Sequence, residues 1–449
     1  LKRNLVLESK NGLSQEILFT VARRNKEIDS PDKLVEYLCV GSQYSDGGNR
    51  LTGIYGLYPE KSLIGLGYWW SPISLGNFGG HATYYYEEPI KDAPNNPYGI
   101  DFIVYGNSNG GPGFSEPGSV LVSENGEDWY VLAGSEHYEN RTKWDYRVTY
   151  TKTEKGTKAN SIELGYMYPS IESYPLYDWS RSENNITVEG VAIGNGITAY
   201  YPAFGYADVR TNSGDSWGTG EKASINGIAK NPYLETTAKQ GLIGPDDADK
   251  LYEGAGDCFD LAWAVDKDGL PVKLPYIHYI KVQTAQPVTL ITGAIGEKST
   301  EVNVVARVLS SSSDVGISSP PEVITVGGKE LDLEHGKYIY NAEASGVFDV
   351  NVEASAANVY INNYRGSSRT FAVSPNKNII RIIVQDGQKA PLIYYINIRH
   401  TSFTKDDIAE ALGGTEAQQP VIRKDVISAM YKLCGQPETK AADSERKYG

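Results

Sequence analysis

The sequence is poor in sulfur: of 449 residues, three are cysteine and two are methionine. Cys39, Cys258 and Cys434 stand far apart with no C-x-x-C pair, which excludes a cysteine-based zinc site and a disulfide scaffold. No apolar run approaches the ~18 residues of a membrane-spanning helix. Basic clusters are missing too. Lys and Arg number 42 against 56 Asp and Glu, a formal charge of −14. No stretch of Lys or Arg builds the basic face that nucleic acid requires, so that class of partner is excluded. Histidine is limited to His81, His137, His278, His335 and His400, none in a nucleophile-elbow context. G-x-S-x-G, H-E-x-x-H and the phosphate-binding loop are absent. Gly106–Gly111 is glycine-rich and follows a strand, but no helix opens behind it to supply amides to a phosphate. It reads as a wide turn.

Tyrosine (33) and glycine (47) are abundant, and with short β-branched runs they suit extended strands joined by tight turns. The expected fold is mainly β. Residues 1–29 are unassigned. Ser30-Pro31-Asp32 predicts a short helix through Leu38, from a serine N-cap, proline at the first position and an acid in the first turn. Residues 30–308 read as a first β-sandwich of about eight strands. Its strands include Ala82–Tyr86, Ile100–Tyr105, Gly118–Ser123, Trp129–Leu132, Arg147–Thr151, Ser161–Leu164, Thr187–Ile193 and Ile277–Thr284. Asn125-Gly126 predicts a hairpin turn between two of them. Residues 166–258 form a long polar insertion.

Residues 309–321, with Ser310–Ser313 and Pro320-Pro321, read as a linker. Residues 322–400 predict a small immunoglobulin-like or cadherin-like sandwich. Residues 401–449 turn helical, with Thr404 as an N-cap and Val421–Cys434 as an amphipathic helix ended by Gly435.

Two kinds of site are expected from the residues. Tyr68-Trp69-Trp70 turns at least one ring outward if extended, because successive side chains alternate faces. Trp179, Tyr200, Tyr201, Tyr206 and Trp217 crowd the insertion. Such rings offer stacking surfaces for sugars or flat small molecules, or else fill a small core of their own. Asn107, Glu116, Asp257 and Asp260 are oxygen donors beside turns and form a candidate calcium set. Asp266-Lys267-Asp268-Gly269 is a fragment of a calcium-loop pattern and also an ordinary turn. Any two of Asp101, Glu116, Asp260 and Asp266 are candidates for the carboxylate pair of a glycoside hydrolase.

Several motifs also carry a resemblance. Ser74-Leu75-Gly76-Asn77-Phe78-Gly79-Gly80, Asn95-Asn96-Pro97-Tyr98-Gly99-Ile100-Asp101-Phe102, Ser115-Glu116-Pro117-Gly118, Trp129–Glu136, Phe259–Asp266 and Tyr279–Val282 occur in this order. Together they resemble a family of bacterial cell surface proteins known from gut bacteria. Gly118–Leu132 is similar to the hairpin of galactose-binding-like jelly rolls, which implies loops at one end that bind a ligand beside a structural calcium ion. Residues 322–399 look like a cadherin-like domain. Val421–Val426 with Tyr431–Gly435 is similar to an S-layer homology segment, which implies attachment to cell-wall polymer. A start at Leu1 fits a trimmed export signal.

The resemblance implies a protein of the bacterial cell surface, and with the aromatic residues the expected role is non-catalytic capture of a glycan or a small nutrient such as a corrinoid. A carbohydrate-active hydrolase and a structural surface-layer component remain the alternatives.

Overall fold

The computed structural model describes residues 2–8, 14–20, 29–38, 62–63, 73–105, 118–153, 156–159, 162–163, 185–193, 256–288, 300–302, 304–308 and 315–400, the last without 357, 363, 374–377 and 388. The chain divides into two compact units. One comprises Leu1–His137, Arg141–Val265 and Val272–Asp314, and the other Tyr138–Asn140, Asp266–Pro271 and Val315–Gly449.

The first unit opens with a hairpin, β1 (Lys2–Glu8) and β2 (Ser14–Thr20), paired from Lys2↔Thr20 to Glu8↔Ser14. Then come β3 (Lys33–Leu38), β4 (Ile73–Ser74), β5 (His81–Lys91) and β6 (Phe102–Tyr105). A hairpin of β7 (Gly118–Ser123) and β8 (Tyr130–Leu132) follows. β9 (Lys143–Thr153), β10 (Gly156–Ala159), β11 (Ile162–Glu163) and β12 (Asn185–Ala192) form one antiparallel sheet. The unit closes with β13 (Gly256–Phe259), β14 (Ala264–Val265), β15 (Tyr276–Thr284), β16 (Glu301–Val302) and β17 (Val304–Arg307).

The principal sheet has the order β14-β8-β7-β15-β5-β3, and a smaller one has β13-β6-β17. Alternation sets the faces. Ala82, Tyr84 and Tyr86 of β5, Val120 and Val122 of β7, and Ile280 and Val282 of β15 are fully buried, while the residues between them turn the other way. The Tyr86 hydroxyl donates to the Val305 carbonyl of β17, so the buried face of the principal sheet meets the smaller sheet. Phe102 stacks on Phe259 across β6 and β13 at 5.3 Å.

Lys33–Leu38 is a strand, which corrects the helix expected from Ser30-Pro31-Asp32. Pairing with β5 overrides the local cap signals. Asp32 donates its amide to the Tyr85 carbonyl, and its carboxylate accepts the Glu87 amide instead of capping a helix. Asn125-Gly126 does form the β7–β8 turn, with Gly126 at φ +81°. Asn125 Oδ1 accepts the amides of Glu127 and Asp128, and the Ser123 hydroxyl accepts that of Gly126.

The second unit is a sandwich. One sheet joins β18 (Val323–Val326), β19 (Lys329–Glu330), β21 (Val347–Glu353) and β24 (Ser368–Ala372). The other joins β20 (Ile339–Ala344), β22 (Asn358–Ile361), β23 (Tyr364–Arg365), β25 (Ile379–Gln385) and β26 (Leu392–His400). β20 runs parallel to β26, while the other paired strands of the two sheets run antiparallel. Ile324, Val350 and Val352 from one sheet pack with Ile361, Ile382, Val384 and Ile396 from the other in one core. Residues 401–449, where helices and the S-layer-like segment are expected, lie outside the described residues.

Replacing Ile382 by Ala removes a fully buried side chain from the centre of this core. The expected loss is about 2–5 kcal/mol, read as a lower urea midpoint for the transition that includes the second unit. A change under about 0.5 kcal/mol would contradict the placement of Ile382.

Candidate functional site

Three acidic side chains of the first unit come together where strand ends meet. β13 pairs antiparallel with β6 up to Phe259↔Phe102, so Asp260, just past one strand, falls beside Asp101, just before the other. The Asp101 amide donates to the Phe259 carbonyl at 2.8 Å. The third acid, Asp92, follows β5 directly, and the turn after it folds back. Asn96 and Gly99 donate to the carbonyls of Ala93 and Asn96, and Tyr98 takes a left-handed φ of 59°. That turn presents the Ala93 amide to Asp101 Oδ1 at 2.9 Å, while Leu261 donates to Asp101 Oδ2 at 2.8 Å. Asp260 caps the short turn Leu261–Trp263 by accepting from Ala262.

One carboxylate oxygen from each of Asp92, Asp101 and Asp260 lies within 4.8 Å of the others. Asp101 is 1% exposed and Asp260 3%. Desolvation, and then repulsion from Asp260, push the Asp101 carboxyl well above the usual range, against the two amide hydrogen bonds that favour its ionised form. Asp92 is raised by partial burial, with Lys273 opposing. Oxygens on opposite sides of a calcium ion stand about 5 Å apart, so this spread fits one hard cation. The residues present therefore suit the ion that the jelly-roll resemblance implies.

A second constellation occupies the outward face of the principal sheet. Tyr85 of β5 and Tyr279 of β15 are direct cross-strand partners with ring centroids 5.0 Å apart. A register shift between Ile277 and Tyr279 brings His278 alongside them, stacked on Tyr85 at 5.8 Å, with Tyr276 edge-on to it. Trp129, at the end of the β7–β8 turn, meets Tyr279 at 6.4 Å. The Lys281 ammonium lies 4.3 Å from the Trp129 centroid and Lys33 5.2 Å from that of Tyr85. Glu36 Oε2 approaches His81 Nε2 to 3.0 Å, near in distance but not aligned as a hydrogen bond, and Lys281 Nζ to 3.9 Å.

Of the four donors expected to hold calcium, Asp260 is in the acidic cluster. Asp257 sits in β13 opposite Val104, with only its backbone described. Asn107 and Glu116 lie outside the described residues, as do Tyr68, Trp69, Trp70, Trp179, Tyr200, Tyr201, Tyr206 and Trp217. Asp266 and Asp268 form a turn in which Asp266 Oδ1 accepts the amides of Asp268 and Leu270, and Gly269 takes a φ of 81°. Asp92 escaped sequence reasoning, although an acid at each end of a Pro-Asn-Asn-Pro-Tyr-Gly turn is a readable signal. The Tyr84-Tyr85-Tyr86 run equally implied one outward ring. No protein-family model matches the chain, and no curated protein does.

Glu36 makes a pH test of the sheet face possible. The neighbouring His81 imidazole holds its carboxyl down to about 2, Lys281 adds to this, and partial burial opposes. A depressed acid stabilises the fold fully above the ordinary carboxylate range, and the contribution fades as pH falls through the folded-state value. The side chain is 54% exposed, so solvent screens the effect and a modest size is expected. Glu36→Gln should melt below the parent chain near neutral pH, with the gap closing between roughly pH 5 and pH 2. A gap that is constant across that range in thermal melts would rule out this assignment.

Proposed function

We propose that the chain is a non-catalytic binding protein of a bacterial cell surface, which captures a glycan or a small nutrient such as a corrinoid on a rigid β framework. The observation that carries this reading is the Asp92–Asp101–Asp260 cluster, which supports a framework tied by a structural calcium ion. The cation would neutralise three carboxylates gathered at the ends of β5, β6 and β13, and so fix the turns that leave those strands. The jelly-roll resemblance supports the same role, because modules of that kind pair a structural ion with ligand-binding loops. Attachment to cell-wall polymer through residues 401–449 belongs to the same reading.

The hydrolase alternative needs one carboxylic acid and one carboxylate open to a sugar. Asp101 and Asp260 do meet, but both are buried and both accept backbone amides, so neither suits proton transfer to a substrate.

Calcium titration of the metal-stripped chain tests the proposal. At a hundredfold excess over the dissociation constant, the native state gains about 2.7 kcal/mol, seen as a raised melting temperature that EDTA reverses. Asp101→Asn should abolish that response. Melting curves that ignore calcium in the parent chain would remove the ion from the proposal.

A further inference from the structure

On the outward face of the principal sheet Thr83, Ser119 and Gln283 are buried, and beyond them partly exposed rings gather. A sheet face turned to water is ordinarily polar, whereas here rings follow one another in continuous contact. The ladder runs Tyr276, His278, Tyr85, Tyr279, Trp129, with centroids 5.0 to 6.4 Å apart. Tyr276 is 38% exposed, and the others are half-buried. The ladder does not belong to the core. Its members on β5 and β15 alternate with Tyr84, Tyr86, Ile277 and Ile280, which fill the opposite face.

We propose that this ladder is a stacking platform for a neutral saccharide, a proposal that rests on the capture reading above and names its site and ligand class. Three observations carry it. Aromatic faces match the C–H-rich faces of sugar rings, and a few polar groups then fix orientation through hydroxyls. Lys33, Lys281 and Glu36 supply those groups at the ladder's edges, with donors and an acceptor both present. The charges are of both signs within one face, and the chain as a whole carries −14, which suits a polyhydroxylated neutral ligand better than a polyanion.

The platform is also rigid before any ligand arrives. The register runs from Lys33 through Tyr85 and Tyr279 to Ser123 across β3, β5, β15 and β7. Gly126 packs against the Tyr279 ring, where an added Cβ would stand 3.1 Å away, so the turn backbone holds the tyrosine directly. The same turn, tied by Ser123 and Asn125, delivers Trp129. Side chains held this way lose little freedom on binding, which leaves more of the contact energy for affinity.

The test uses the full chain, an array of short neutral oligosaccharides of glucose, mannose, galactose and xylose, and cyanocobalamin in solution as the non-saccharide probe. Trp129→Ala and Tyr276→Ala are compared with Tyr364→Ala, an exposed tyrosine of the second unit, and melting temperature reports folding. The expected result is binding to at least one oligosaccharide series, weakened about tenfold or more by each platform variant and unchanged in Tyr364→Ala. Tyr276 is partly exposed, so its variant decides the matter if Trp129→Ala fails to fold. Saccharide binding untouched by Tyr276→Ala and by a folded Trp129→Ala overturns the platform and leaves the capture reading standing. Cyanocobalamin bound with no saccharide overturns the ligand class alone. Neither probe bound by the parent chain overturns both.

Discussion

The first unit hangs on the register of β15 between β5 and β7. Val282 lies opposite Ala82 on one side and Val120 on the other, and Tyr279 lies opposite Tyr85 and Ser123. Because side chains alternate with a period of two, a slip of one residue would send Ile280 and Val282 to the outer face and bury Tyr279 and Lys281. Hydrophobic burial therefore selects the register, and the register then builds the ring ladder as a consequence. The shift after Ile277 lets both His278 and Tyr279 join the outer row, a familiar use of an irregularity to re-aim a side chain.

The acidic cluster is placed by a different device, the ends of strands. β6 and β13 stop at the same level, so the residues next to them, Asp101 and Asp260, are neighbours whatever their side chains prefer. Buried like charges repel strongly in a medium of low polarity, and such an arrangement persists only with compensation. The amides of Ala93, Leu261 and Ala262 supply part of it. In the proposed function a divalent cation supplies the rest. The two sites answer different needs, one holding the framework and the other presenting a surface.

Much of the β architecture was legible because each strand carries its own evidence. Val347–Val352 alternates in hydrophobicity, Gly118–Ser123 and Leu392–Ile398 are short apolar runs rich in β-branched and aromatic residues, and Asn125-Gly126 marks its turn through the left-handed backbone that glycine accepts. The segment from Ser30 was misread for an equally physical reason. Serine, proline and aspartate at a chain reversal suit a helix cap, yet the same residues serve a strand entry once Tyr85 and Glu87 offer partners. The hairpin of β1 and β2 was readable in principle, since Asn11-Gly12 stands between the paired runs. The acidic cluster was half legible: Asp260 was named among metal donors and Asp101 among paired acids, but nothing local joined either to Asp92.

By itself the sequence determined the fold class, the two β regions, and the lack of any apolar run long enough for a membrane-spanning helix. These follow from composition and short-range periodicity, which act within a few residues of chain. Only the tertiary structure decided which acids share a site and which rings share a face. Asp92 and Asp260, or Trp129 and Tyr276, are separated by well over a hundred residues. Their proximity comes from strand order and register, which are set by burial across the whole unit.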